Sequence, residues 1–116
     1  MRAASFFVLL AVAAGLIVTV KEGDEECVFE RLDKDNKLAG SFEVLSGGNF
    51  DIDALVTGPS GDAHYKQLRQ KTGSLQIMAP TSGLYKVCFS NKGISPGDKL
   101  VAVRARARAR DQPPRR

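Results

Sequence analysis

Few residues of this sequence could do chemistry. It holds two cysteines, Cys27 and Cys88, one histidine, His64, and one carboxylate pair worth weighing, Asp51 and Asp53. Nucleophilic cysteine chemistry needs a free thiolate, and these two sulfurs are expected to be joined to each other. His64 stands beside Asp62 with no nucleophile to activate, so it reads as a surface histidine rather than a general base. Asp51 and Asp53, two apart on a strand, share a face and could begin a calcium site, with Asp62 as a third candidate ligand. Calcium takes about six to eight oxygens, and few stand close, so a solvated strand face is the simpler reading. Gly47-Gly48 lacks the following Lys-Ser/Thr and the helix of a phosphate-binding loop. No catalytic residue, cofactor or N-glycosylation sequon is expected; Asn36, Asn49 and Asn91 are all followed by the wrong residues.

The ends of the chain say where these residues would work. Met1-Arg2 is a short basic start, and Phe6–Val20 is an apolar run ended by the acidic segment Glu22–Glu26. That order fits a secretory signal peptide, here taken as a helix over residues 1–20. The rival reading is an uncleaved signal anchor, for which the run is somewhat short of the roughly 20 residues a span needs. Behind such a leader lies an oxidising lumen, where two cysteines have one intramolecular connectivity. The alternative is a pair of buried free thiols. The net charge of +4 is uneven: residues 98–116 hold seven cations and two carboxylates, leaving −1 on residues 1–97. The body therefore lacks an electrostatic footprint for nucleic acid. The repeat from Arg104 to Arg110 alternates arginine and alanine, repels itself and has nothing large to bury, so residues 96–116 are expected to be a disordered basic tail.

Between the ends the chain reads as short strands. Cys27–Arg31, Gly40–Leu45, Phe50–Thr57, Thr72–Met78 and Leu84–Ser90 alternate with period two, separated by turns rich in Gly, Pro, Asp and Asn. Ala63–Lys66 is a weaker strand candidate. No helical period interrupts them, which predicts an all-β antiparallel β-sandwich over residues 25–95. In one strand the parity is awkward. Cys88 alternates with Tyr85, Val87 and Phe89, so a core built on those residues leaves the disulfide on the opposite face. An N-terminal strand crossing that face could meet it.

Glu26-Cys27-Val28-Phe29-Glu30, Ser46-Gly47-Gly48-Asn49-Phe50-Asp51 and Gly83-Leu84-Tyr85-Lys86-Val87-Cys88-Phe89-Ser90-Asn91 together resemble the GOLD (Golgi dynamics) domain of the p24 cargo receptors. Gly58-Pro59-Ser60-Gly61 falls where that family has Asp-Pro-x-Gly, with Gly58 in place of Asp. The resemblance covers about residues 25–95. It implies a lumenal β-sandwich with Cys27 and Cys88 as its disulfide, no catalytic residue, and partners among lumenal cargo proteins and sister GOLD-domain proteins. It also implies passage between endoplasmic reticulum and Golgi, or secretion. The family's coiled coil, transmembrane helix and coat-binding tail have no counterpart here, so the chain is expected to be truncated after its GOLD domain, with membrane association resting on the N-terminal run. The functional expectation is a non-catalytic lumenal binding module that presents a sheet face or edge strand to a protein. The alternatives are a soluble orphan fragment and a calcium-dependent lectin-like sandwich using Asp51 and Asp53.

Overall fold

The computed structural model describes residues 15–108. Eight strands make two four-stranded antiparallel sheets. They are β1 (Leu16–Val20), β2 (Glu25–Leu32), β3 (Lys37–Ser46), β4 (Ile52–Thr57), β5 (Ala63–Gln70), β6 (Thr72–Met78), β7 (Gly83–Ser90) and β8 (Lys99–Arg108). One sheet, A, runs β1-β8-β3-β6, and the other, B, runs β2-β7-β4-β5. No helix stands among the described residues, hence none long and apolar enough to cross a membrane.

The core follows from alternation. Val28 and Leu32 of β2, Ile52, Ala54 and Val56 of β4, and Tyr85, Val87 and Phe89 of β7 face inward from sheet B. Leu38, Phe42 and Val44 of β3 and Val101 and Val103 of β8 face them from sheet A. Phe42 meets Phe89 edge-on across the sandwich, with ring centroids 5.4 Å apart. Such a pair contributes about 0.5–1.5 kcal/mol beyond the area it buries. Gly73 makes room for it, since a Cβ there would come within 2.5 Å of the Phe42 ring. The Tyr85 hydroxyl is satisfied by donating to the Thr81 carbonyl at 2.6 Å.

The all-β sandwich expected from the sequence is the observed fold, but its boundaries move outward at both ends. Residues 1–14, which hold most of the expected leader helix, lie outside the described residues. Its last part does not: Leu16–Val20 is strand β1, paired with β8 from Leu16↔Val103 to Val20↔Lys99. Ile17, Val18, Thr19 and Val20 are β-branched, which suits a pleated strand. At the other end, residues 99–108 are not a disordered tail. They form β8, paired with β3 along most of its length and with β1 over residues 99–103. The alternation that looked like low complexity is a strand pattern. Val101, Val103, Ala105 and Ala107 turn toward the core, and Arg104, Arg106 and Arg108 turn away.

Smaller differences have local causes. Phe50 is not on the inward face of β4. It ends a turn in which its N–H donates to the Gly47 carbonyl at 2.8 Å, and its φ is +59°. Its ring is 39 % exposed and lies under the Lys71 ammonium, 5.2 Å from the centroid. Strand β5 runs on to Gln70 through a bulge opposite Asp53, where Arg69 takes φ +54° and its N–H donates to Asp53 Oδ1 at 2.7 Å. Bulges of this kind bend an edge strand and blunt it against pairing.

Candidate protein-contact site

The disulfide resolves the parity problem in an unexpected way. Cys27 and Cys88 face each other directly in the β2–β7 register and bridge neighbouring strands on the outer face of sheet B. Among the described residues no strand crosses over them. The N-terminal strand β1 belongs to the other sheet. The bond thus braces the second and seventh strands. It also closes 61 residues of chain, which in the loop-entropy account stabilises the fold by about 4 kcal/mol.

That braced pair carries two exposed apolar side chains of sheet B, and the edge strand β5 carries a third, Leu68. Phe29 is 42 % exposed and Leu84 is 54 % exposed. Phe29 is opposite Lys86 and Leu84 opposite Arg31, so the two apolar residues are diagonal neighbours on one face, a separation of about 7–8 Å between diagonal positions. Beside them the bridge continues the apolar surface across Cys88 to half-buried Leu55 of β4. Arg31 and Lys86 flank it. The result is a small apolar stripe with cationic margins, held on two strands that are covalently joined.

A buried polar clasp fixes one end of the sandwich beside this sheet. Lys99, at the start of β8, is completely buried. Its ammonium donates to Asn91 Oδ1 at 2.8 Å and to the Ser95 carbonyl at 3.1 Å, and lies 3.1 Å from Asp51 Oδ1. The Ser95 hydroxyl donates to the same Asp51 oxygen and accepts from the Asn49 N–H. Asn91 Nδ2 donates to the carbonyls of Val20 and Gly97. Two motifs that marked the sequence, Ser-Gly-Gly-Asn-Phe-Asp and Phe-Ser-Asn, meet here. The glycines are required by the approach. Gly47 has φ +113°, and a Cβ on it would lie 2.1 Å from the Asp98 carbonyl oxygen.

The clasp decides how Asp51 and Asp53 are used. Burial raises the Asp51 pKa. The Ser95 hydroxyl, the Lys99 ammonium and Asp51's own backbone N–H outweigh it and hold the carboxyl below its usual 3.8. A lysine ammonium therefore occupies the place on Asp51 that a calcium ion would take. Asp53 accepts instead from the Arg69 N–H. Asp62 accepts from the Ser60 hydroxyl, which, with its own backbone N–H, lowers its pKa. The three carboxylates are held by different donors. The group of metal-type ligands found among the described residues is Glu25, Cys27 and Cys88, whose sulfurs are bonded to each other.

His64 is half-buried rather than an exposed surface residue. Its ring packs on Tyr85 at 5.6 Å, with Nε2 buried, 3.3 Å from Asp62 Oδ2 and unaligned for a hydrogen bond. The ring leaves no room for a side chain at position 58. A Cβ at position 58 would lie 2.7 Å from His64 Nε2 and 3.2 Å from the Tyr85 ring. Sequence reasoning missed Lys99, Ser95 and the outward arginines of β8. The one available signal was the strict period of β8.

A disulfide-braced, two-sheet antiparallel sandwich of eight strands places the chain in the class of small all-β sandwich domains. The chain is a GOLD domain and belongs to the emp24/gp25L/p24 family, whose model matches residues 15–113. It is 39 % identical over 89 residues to Suppressor/enhancer of lin-12 protein 9 of Caenorhabditis elegans, covering 77 % of this chain and 44 % of that protein. Human transmembrane emp24 domain-containing protein 7 is 29 % identical over 80 residues, 69 % of this chain and 36 % of that one. The chain thus spans less than half the length of these relatives. Among solved structures, the periplasmic g-type lysozyme inhibitor PliG of Aeromonas hydrophila superposes with a TM-score of 0.59 at 17 % identity, over 86 % of this chain and 94 % of that one. That likeness is one of fold.

Proposed function

We propose that this GOLD domain is the lumenal, non-catalytic binding module of a cargo receptor of the endoplasmic reticulum–Golgi pathway, and that it binds partner proteins through the outer face of sheet B. Membership of the emp24/gp25L/p24 family supports the pathway. The disulfide supports an oxidising compartment. The observation that carries the choice of surface is the exposure of Phe29 and Leu84 side by side on the covalently braced β2–β7 pair. Side chains on a rigid support lose little entropy on binding, and a few anchors carry most of the energy of a protein contact. Sister GOLD domains and lumenal cargo are the partners of this reading.

The test uses the oxidised full chain and purified GOLD domains of emp24-family relatives. Binding is measured for wild type, for Phe29→Lys/Leu84→Lys, and for Ile17→Lys, an exposed position on the other sheet. The expected result is binding by wild type and Ile17→Lys, lost in the double variant at unchanged melting temperature. Equal binding by all three would refute the choice of face. No binding by wild type to any relative or to lumenal extract would refute the receptor reading.

A further inference from the structure

The outer face of sheet A carries a second feature that the sheet B surface leaves unused. Strand β8 puts Arg104, Arg106 and Arg108 in one outward row, opposite Ser41, Ala39 and Lys37 of β3 in register. Beyond β3, Ser41 pairs with Ser74 and Ala39 with Gln76 of β6. The residues beside the arginines are therefore small or uncharged, apart from Lys37. They leave a cavity of about 280 Å³ along Ala39, Gly40, Ser41, Arg104, Arg106 and Arg108. It is continued by a larger one of about 760 Å³ that runs past Ser41, Ser74 and Ala102 toward Ile17. Both adjoin Arg104, so they form one trough along the sheet.

Glu43 lines the wider end of that trough with Arg104, and no carboxylate lines the end that holds Arg106 and Arg108. Ion pairs among the described residues join Arg31 to Asp33, His64 to Asp62 and Lys99 to Asp51. None includes Arg104, Arg106, Arg108 or Lys37. The one carboxylate of β3, Glu43, is paired with Ala102, beyond Arg104 on the strand. Arg106 and Arg108 are half-buried all the same. Guanidinium groups that are partly desolvated and unpaired favour an anion, and carboxylates fit their planar fork in two-point contact.

Spacing selects the kind of anion. Alternate residues of a strand repeat every ~6.6–6.8 Å on one face. A row of arginines at that repeat matches carboxylates at alternate positions of another extended chain. We propose that the trough on sheet A docks an extended acidic segment of a partner protein, with carboxylates at every second residue seated on Arg104, Arg106 and Arg108. A membrane surface would be met by a broad basic patch, whereas this one is a single strand wide. The proposal stands apart from the sheet B contact and does not require it.

The experiment measures fluorescence anisotropy of two labelled eight-residue peptides with the full, oxidised chain. One alternates Glu and Thr; the other has the same composition with the four Glu contiguous. Vesicles containing phosphatidylserine are a third probe. The variants are Arg104→Gln/Arg106→Gln/Arg108→Gln, the single Arg106→Gln, and Lys21→Gln/Lys34→Gln/Lys92→Gln as a control of equal charge. The expected result is tighter binding of the alternating peptide than of the block peptide. The triple arginine variant should lose about tenfold or more in affinity, the single variant a few-fold, and the lysine control less than twofold. Equal binding of the two peptides, or an equal loss in the lysine control, would reduce the effect to net charge and overturn the proposal. Vesicle binding without peptide binding would overturn it in favour of a lipid surface. If the triple variant fails to fold, the single variant and the two-peptide comparison still decide.

Discussion

Replacing Lys99 with methionine tests the clasp most directly. The side chain is fully buried and its ammonium has three oxygen partners within 3.1 Å. Methionine fills similar volume but supplies no charge and no donor. Asn91 Oδ1 and the Ser95 carbonyl lose a partner, and Asp51 loses its counter-charge. Removing one member of a buried pair costs about 3–5 kcal/mol. The Asp51 side chain is 16 % exposed and keeps the Ser95 hydroxyl, so the low end of that range applies. The expected loss is about 3 kcal/mol, read as a shift of the urea midpoint by circular dichroism at pH 7. The double variant Lys99→Met/Asp51→Asn should recover part of it, because no unpaired carboxylate remains. The pH dependence has a definite sign. The Asp51 carboxyl is held below its ordinary 3.8 in the folded protein. It therefore contributes stability above 3.8 that is lost as pH falls through the lower folded value. In Lys99→Met this acid-side loss should shrink. A single variant within about 0.5 kcal/mol of wild type, or an unchanged acid limb, would refute the reasoning.

Four other outcomes follow from the same geometry. Gly47→Ala should destabilise by about 3 kcal/mol or more, since its Cβ meets backbone, whereas Gly61→Ala, with positive φ but open space, should cost only about 1 kcal/mol in the same urea assay. Cys27→Ser/Cys88→Ser should lose about 4 kcal/mol against the oxidised protein, and reductant should reproduce that loss in wild type alone. Gly58→Asp should lower the melting temperature, and adding His64→Ala should restore much of it by removing the ring that the new side chain meets. Glu30 lies on the inner face of β2, where burial raises its pKa above 4.5. Its ionisation therefore weakens the fold above that range, so Glu30→Gln should be the more stable protein at pH 7, with the difference vanishing below pH 4 in a series of pH-dependent melts.

The sequence was legible where alternation coincided with turn chemistry. Thr72–Met78 forms β6 over the very span expected, and Leu84–Ser90 lies within β7, because apolar and polar residues alternate there between Gly- and Pro-rich breaks. The cysteine pairing was legible from compartment and number, and the parity of Cys88 correctly placed it off the core face. What failed did so for physical reasons. Leu16–Val20 continues an apolar run that begins at Phe6, so nothing in composition marks where a leader would give way to a strand. In β8 the inward positions end in Ala105 and Ala107, whose small side chains give almost no hydrophobic signal, while the arginines dominate any charge count. Lys99 was invisible as a core residue because its partner, Asp51, is distant in sequence. Only the stacking of sheet A on sheet B brings the two loops together.

Strand β8 bears more on this domain than the disulfide does in one respect. It is an inner strand of sheet A and, among the described residues, the sole partner of β1, with β3 on its other side. A sandwich ending near residue 95 would leave that sheet as the β3–β6 pair alone, strip Val101 and Val103 from the core, and open the clasp by removing Lys99. A two-stranded pair is marginal by itself in water, so the alanine-arginine segment is part of the fold and not an appendage to it. The same placement determines what its arginines can do. On a flexible tail, three like charges would spread apart and bind anions without regard to spacing. Held in register against β3, with two alanines turned inward as the pivot, they keep a fixed repeat, and only a fixed repeat can tell an alternating acidic chain from a merely acidic one.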